Sequence, residues 1–255
     1  MKLIHIHGFK CAGSTLEQIL NREFPNLLKV ESSEPGKRLF FEDIPSKILN
    51  TDAISSHLLS PSKHKDAIHV TLLRNPLDRL ISAWKFETKI VKDTRDNTIT
   101  LKEYIGNFKK SILSNYQSKL LSFQNKNNHF ASGWNINLDL DYLFSDNFFI
   151  GTVERFDESM VLIEQRLKRR AVNVDMSYPS RRNTTTHLKK TIIKNNFERF
   201  AYPATDVDIW LLDLANKKID QEISSYSNFD ILLEDYRLRC KSSFFVKDYS
   251  EVNYI

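Results

Sequence analysis

Apolar and polar positions along this chain fall into blocks whose period changes, and the changes mark the elements. "KLIHI" is a short apolar run that predicts a first strand. After a loop with two glycines, "STLEQILNREF" puts Leu16, Ile19, Leu20 and Phe24 on one face of a helix. "DAISSHLL" predicts a short strand or strand end, and "AIHVTLLR" a strand apolar enough to be buried on both faces. "NPLDRLISAWKFETKIV" then opens a helix, with Asn75 as N-cap and Pro76 at the first helical position. Its buried stripe is Leu77, Leu80, Ile81, Trp84 and Val91, and its polar stripe carries Asp78, Arg79 and Ser82. "NFFIGTVERF" predicts a late strand and "DESMVLIEQRLKRR" a helix starting at Asp157. The remainder, through "FERFAYPATDVDIWLLDLANKKID", reads as mostly helical.

Strand and helix alternate, so the expected fold is α/β: three layers, with a central parallel sheet flanked by helices and a helical C-terminal part. The polar stretches "KDTRDNTITLKEYI" and "QNKNNHFASGWNINLD" are irregular, and long loops of that kind often carry function. No repeat or linker divides the chain, so residues 1–255 are expected to form a single domain.

At 255 residues the chain can bury a real core without disulfides or a structural metal. Its two cysteines, Cys11 and Cys240, make no disulfide framework and match no zinc spacing. No apolar run approaches the length of a membrane span, and the N-terminal run is too short and polar for a secretory leader. The expectation is a cytoplasmic protein, or a soluble catalytic domain of a longer one. A net charge of +5 favours an anionic ligand. Nucleic acid is disfavoured, because basic and aromatic residues do not interleave on one predicted face.

The candidate chemistry begins in "GFKCAGSTL". Gly8 and Gly13 have the spacing of a nucleotide phosphate loop and Ser14-Thr15 follow, but the lysine, Lys10, lies inside the loop rather than after the second glycine. A strand-to-helix loop aims backbone N–H groups and the helix dipole at one point, where an anion binds. Lys10 adds a full charge. Magnesium-dependent phosphoryl transfer would also need an acidic residue at a later strand end, and "VTLLR" ends in Arg74 instead.

"GFKCAGSTL" resembles the 5'-phosphosulfate loop of the sulfotransferases, and "VTLLRNPLDRLISAW" resembles their 3'-phosphate motif, with Arg74 and Ser82 at the matching spacing. "NYQSKLL", "FIGTVERFDESMVLIEQRL" and "YPATDVDIWLLDLA" are similar to further segments of the family, so the likeness runs to about residue 215. The carbohydrate branch, of heparan-sulfate 2-O-sulfotransferase type, fits best. The resemblance implies 3'-phosphoadenosine 5'-phosphosulfate (PAPS) as donor, adenosine 3',5'-bisphosphate as product, no metal, and a hydroxylated acceptor, a glycan or small molecule. It implies nucleotide contacts from Lys10, Cys11, Ala12, Gly13, Ser14, Thr15, Arg74, Ser82 and Arg182, and a catalytic role for Lys10 at the leaving oxygen. A nucleotide kinase-like enzyme and an inactive nucleotide-binding protein are the alternatives.

For the acceptor's proton the resemblance points to His57 as base, with Glu42 the rival and His187 a third choice. His5 and His7 share one strand face. Two histidines so spaced can bind a metal, but no third ligand is evident; a packing or supporting role is expected, with ligand contact by His7 the remaining alternative. Arg181, Arg182 and Asn183 lie in a loop like the one that covers the nucleotide. Two departures stand out. Phe9 replaces the family's proline, which predicts a looser loop. Cys11 replaces a hydroxyl donor and sets a thiol at a helix N-terminus, where a lowered pKa is expected.

Overall fold

A computed structural model describes residues 3–31, 38–44, 51–64, 66–92, 103–104, 114–123, 136–179, 205–242 and 252–254. Its centre is a parallel sheet built from β1 (Leu3–Ile6), β2 (Leu27–Glu31), β3 (Ala53–Ser56), β4 (Ile68–Leu73) and β5 (Phe148–Thr152), with β6 (Val252–Tyr254) added at one edge. The order is β5-β4-β1-β3-β2-β6, and every pairing is parallel. β1 is therefore where the order reverses, the position at which open α/β sheets bind ligands beyond the carboxyl ends of their strands.

Helix α1 (Gly13–Glu23) follows β1 directly, and α2 (Pro76–Lys92) follows β4. Two short helices, α3 (Tyr116–Leu120) and α4 (Leu140–Leu143), precede β5. Three longer ones follow it: α5 (Phe156–Lys168), α6 (Asp206–Ser224) and α7 (Phe229–Ser242). Strand alternation sends the apolar side chains to opposite faces of the sheet, into separate core clusters. Leu3, Ile68, Val70, Leu72 and Phe149 pack with Leu16, Ile19 and Leu20 of α1 and Met160 and Ile163 of α5. Ile6, Leu73, Phe148 and Ile150 face the other way, against Tyr116, Leu120, Leu211 and Ala215. Covered on both faces, β4 is buried along its whole length, as its unbroken apolar run requires.

Most predicted elements form where their pattern lies. Asn75 caps α2, its Oδ1 accepting from the Leu77 and Asp78 amides at 3.1 and 3.2 Å. Helix α5 opens at Phe156, one residue before the predicted start. Arg79 departs from the expected polar stripe: it is 0% exposed, with its guanidinium 4.6 Å from the Tyr116 ring centre. The polar stripe of α2 therefore ends under α3 rather than in solvent. Strands β2 and β6 were not predicted. Residues 197–204 of the expected C-terminal helix, and most of the two irregular stretches, lie outside the described residues.

His69 of β4 is buried between Ser62 and Tyr142, which meet its Nε2 and Nδ1 at 3.1 and 3.3 Å. Burial pushes its pKa down to about 4, with His64 and Arg170 adding to the effect. An unfolded chain takes this proton near 6.5, so acid favours the unfolded state. The group's contribution is complete above about pH 6.5 and falls by about 3 kcal/mol as pH drops toward 4. Denaturant melts across that window should show the loss, and His69→Gln should flatten the slope.

Candidate active site

The carboxyl end of β1 feeds a tight loop in which Lys10 and Ala12 both have left-handed backbone, φ 62° and 58°. Alternation of left-handed residues turns successive N–H groups inward, the geometry of an anion nest. Ala12 is the N-cap of α1 without a side-chain cap, so the helix opens with its first amides, from Gly13 and Ser14, available to a ligand. Ser14 is exposed and Thr15 half-buried at this rim.

The two departures in this loop each have a structural partner. The amide of Phe9 donates to the Tyr116 hydroxyl at 3.1 Å, a bond that proline could not make. Phe9 thus ties the loop down, against the expectation of a looser one. Cys11 is buried, and its thiol donates to Gln117 Oε1 at 3.4 Å. Burial drives its pKa up to about 12 despite Arg79 and Arg74 nearby, which reverses the expected direction. Its amide is engaged with Gly8 O at 3.1 Å, so Cys11 serves the loop's shape.

Arg74, at the end of β4, reaches the same loop. Its Nη1 donates to Lys10 O at 3.0 Å, and Gln117 grips its backbone from both sides. The Arg74 amide donates to Gln117 Oε1 at 2.7 Å, and Gln117 Nε2 donates to Arg74 O at 2.9 Å. Gln117 is itself fixed by Asp208, which accepts from the Gln117 and Ser118 amides at 3.1 and 2.7 Å and caps α3. In return Asn115 Oδ1 accepts from the Val207 and Asp208 amides at the start of α6. Buried Arg38 donates to the carbonyls of Lys119, Leu120 and Ser122 at the other end of α3.

The Lys10 ammonium lies 4.2 Å from the ring centre of Phe86, a partly exposed residue of α2. Burial and then Arg74 lower its pKa. Ser82 is one turn before Phe86 on α2, so its face of the helix looks toward the loop. Among the described residues neither Lys10 nor Arg74 is in an ion pair with a carboxylate.

Beside the loop, sheet register lines up two polar rows. Lys29, Ser55 and His5 are partners across β2, β3 and β1. One step further, His57 donates its amide to Glu31 Oε1 at 2.9 Å and stacks on His7, ring centres 3.7 Å apart. Glu17 of α1 joins the rows: its Oε1 accepts from Ser55 Oγ at 2.6 Å and from His7 Nδ1 at 3.1 Å, and Lys29 Nζ is 3.8 Å from Oε2. Burial alone would raise the Glu17 pKa, but these hydrogen bonds hold it well below the ordinary carboxylate range. His5, buried and bonded to Ser55 Oγ at 2.9 Å, is kept well below the usual histidine value by burial and by His7.

His5, His7 and Glu17 bring potential ligand atoms within 4.8 Å of one another, so α1 supplies a third donor that strand spacing did not reveal. The Glu17 carboxylate already has Ser55, His7 and Lys29 as partners, and His5 has Ser55, so the set closes as a hydrogen-bonded network.

His57 Nδ1 lies 3.1 Å from His7 O. A carbonyl only accepts, so Nδ1 carries the proton and Nε2 the lone pair. Burial and His7 lower the His57 pKa, with Glu31 and Glu17 opposing. Glu42 is exposed, in the short turn Phe41–Asp43. Arg181, Arg182, Asn183 and His187 lie outside the described residues.

Two variants test the loop. A Cβ on Gly13 would lie 1.8 Å from His7 Cδ2, so Gly13→Ala should cost roughly 1–3 kcal/mol in denaturant titration. Tyr116→Phe should cost about 1–3 kcal/mol by orphaning the Phe9 amide, and most of that cost should vanish in a Phe9→Pro background.

The family model described as Sulfotransferase family matches residues 1–237 of this chain. No curated protein matches it significantly.

Proposed function

The chain belongs to the sulfotransferase family, whose chemistry is sulfuryl transfer, and from that premise we propose that it moves the sulfuryl group of PAPS to a hydroxyl of an acceptor, of carbohydrate type. The observation that carries this reading is the pair of cations beyond the ends of two neighbouring strands, β1 and β4. Lys10 and Arg74 come from separate motifs, are joined through Lys10 O, and among the described residues neither is ion-paired with a carboxylate. Like charges held together at a helix N-terminus fit a ligand that carries the compensating anions.

The donor supplies an activated sulfur joined to phosphate through a bridging oxygen. Lys10 stabilises the charge that grows on that oxygen as its bond to sulfur breaks. Its contact with the Phe86 ring is weak enough to exchange for an anion. The loop amides hold the 5'-phosphate, while Arg74 and Ser82 hold the 3'-phosphate, the arginine fork matching phosphate oxygens. His57 Nε2 takes the proton of the acceptor hydroxyl as its oxygen bonds to sulfur. With its pKa below the ordinary value, His57 is neutral at pH 7 and ready to accept. Gln117 touches no reacting group and serves to aim Arg74.

Adenosine 3',5'-bisphosphate without metal should raise the melting temperature more than ATP with magnesium does; stabilisation by ATP–magnesium alone would refute the reading. Lys10→Ala should lower turnover about 10²–10³-fold with nucleotide affinity less affected, and Arg74→Ala should weaken the nucleotide-induced shift. The acid limb of kcat/KM should lie below pH 6.5, since protonating His57 removes the base. His57→Ala should abolish transfer and keep the nucleotide shift, and full activity in that variant would move the base to Glu42 or elsewhere.

A further inference from the structure

His7 touches the phosphate loop and the candidate base at once. Its ring occupies the space that a side chain at position 13 would need, with Cδ2 and Nε2 1.8 and 1.9 Å from where that Cβ would be. On the other side it stacks on the His57 ring at 3.7 Å with 31° between planes. Its own orientation is fixed by Nδ1 donating to Glu17 Oε1, and its carbonyl receives His57 Nδ1–H. Because α1 carries both Gly13 and Glu17, one helix holds His7 at two points.

We propose that His7, clamped by Glu17 and seated over Gly13, is the positioning residue for His57: its ring sets the plane of the His57 ring and its carbonyl fixes the tautomer that leaves Nε2 basic. The proposal rests on His57 being the base. His7 itself touches no reacting atom, so its effect on catalysis passes through its neighbour.

The groups facing His57 make the arrangement directional. From β1 come His7 and, behind it, His5; from β2 come Glu31, on the His57 amide, and Lys29, on Glu17; from α1 comes Glu17. Stacked imidazoles resist carrying two positive charges at this separation, so His7 opposes protonation of His57 while Glu31 and Glu17 favour it. The result is a base that is neutral at pH 7 and still has carboxylates close enough to tolerate the proton it gains in the reaction.

Protein labelled with ¹⁵N-histidine tests this without any turnover. In the wild type, His57 should appear as the Nδ1–H tautomer with a titration midpoint below 6.5. His7→Phe keeps a ring and the carbonyl but removes the imidazole nitrogens; it should retain that tautomer and move the midpoint upward. His7→Asn keeps a donor for Glu17 but loses the ring; it should also raise the midpoint, with a fall in kcat larger than any change in KM. The acid limb of kcat/KM should follow the same shifts. An Nε2–H tautomer in the wild type, or a midpoint unmoved in both variants, would overturn the proposal. These readouts stand apart from the nucleotide-binding test, so failure of one does not mimic failure of the other.

Discussion

The carboxamide of Gln117 holds the end of β4 by both its oxygen and its nitrogen, and the geometry of the proposed anion site follows from that grip. Arg74 can lean onto Lys10 O because its own backbone cannot turn. The same Gln117 oxygen accepts the Cys11 thiol, so strand end and loop are indexed to one atom. Helix α3 is five residues long and would not persist alone. It is held by Asp208 at its N-terminus and Arg38 at its carbonyl end, the signs that a helix dipole favours at each position.

Around β1 the polar groups separate into two sets. On one side of the loop, Lys10, Arg74 and the α1 amides concentrate positive potential, and among the described residues neither cation is ion-paired with a carboxylate. On the other, the histidines and Glu17, Glu31 and Lys29 form an internally balanced network. His7 is the wall between the two. The parallel sheet makes this possible: register places residues two apart on β1 against residues two apart on β3, so His5 meets Ser55 and His7 meets His57.

Much of this was readable in the chain. The strand, loop and helix around Gly8 and Gly13, the place of Arg74 at the end of β4 and the Asn75-Pro76 helix start are local signals, and local physics decides them. What could not be read depends on tertiary context. β2 carries a lysine inside a five-residue run, and Lys29 reads as surface until Glu17 is brought to it from α1. Arg79 has a polar label but is capped by an aromatic ring from a distant helix. For Cys11 the helix N-terminus and two arginines would lower the pKa, and desolvation outweighs them. Phe9 looks like the loss of a rigid proline until the Tyr116 hydroxyl is seen to use its amide. Glu17 falls on the helix as an ordinary polar residue, and only sheet register explains why it is there.

The clasp between Asn115 and Asp208 also imposes an order on biosynthesis. Each residue caps the other's helix, so neither helix start is complete alone, and the two lie 93 positions apart. A nascent chain displays β1, the loop and Arg74 long before Asp208 emerges to fix Gln117. The frame that aims Arg74 is therefore completed only when its last part, Asp208, has been made.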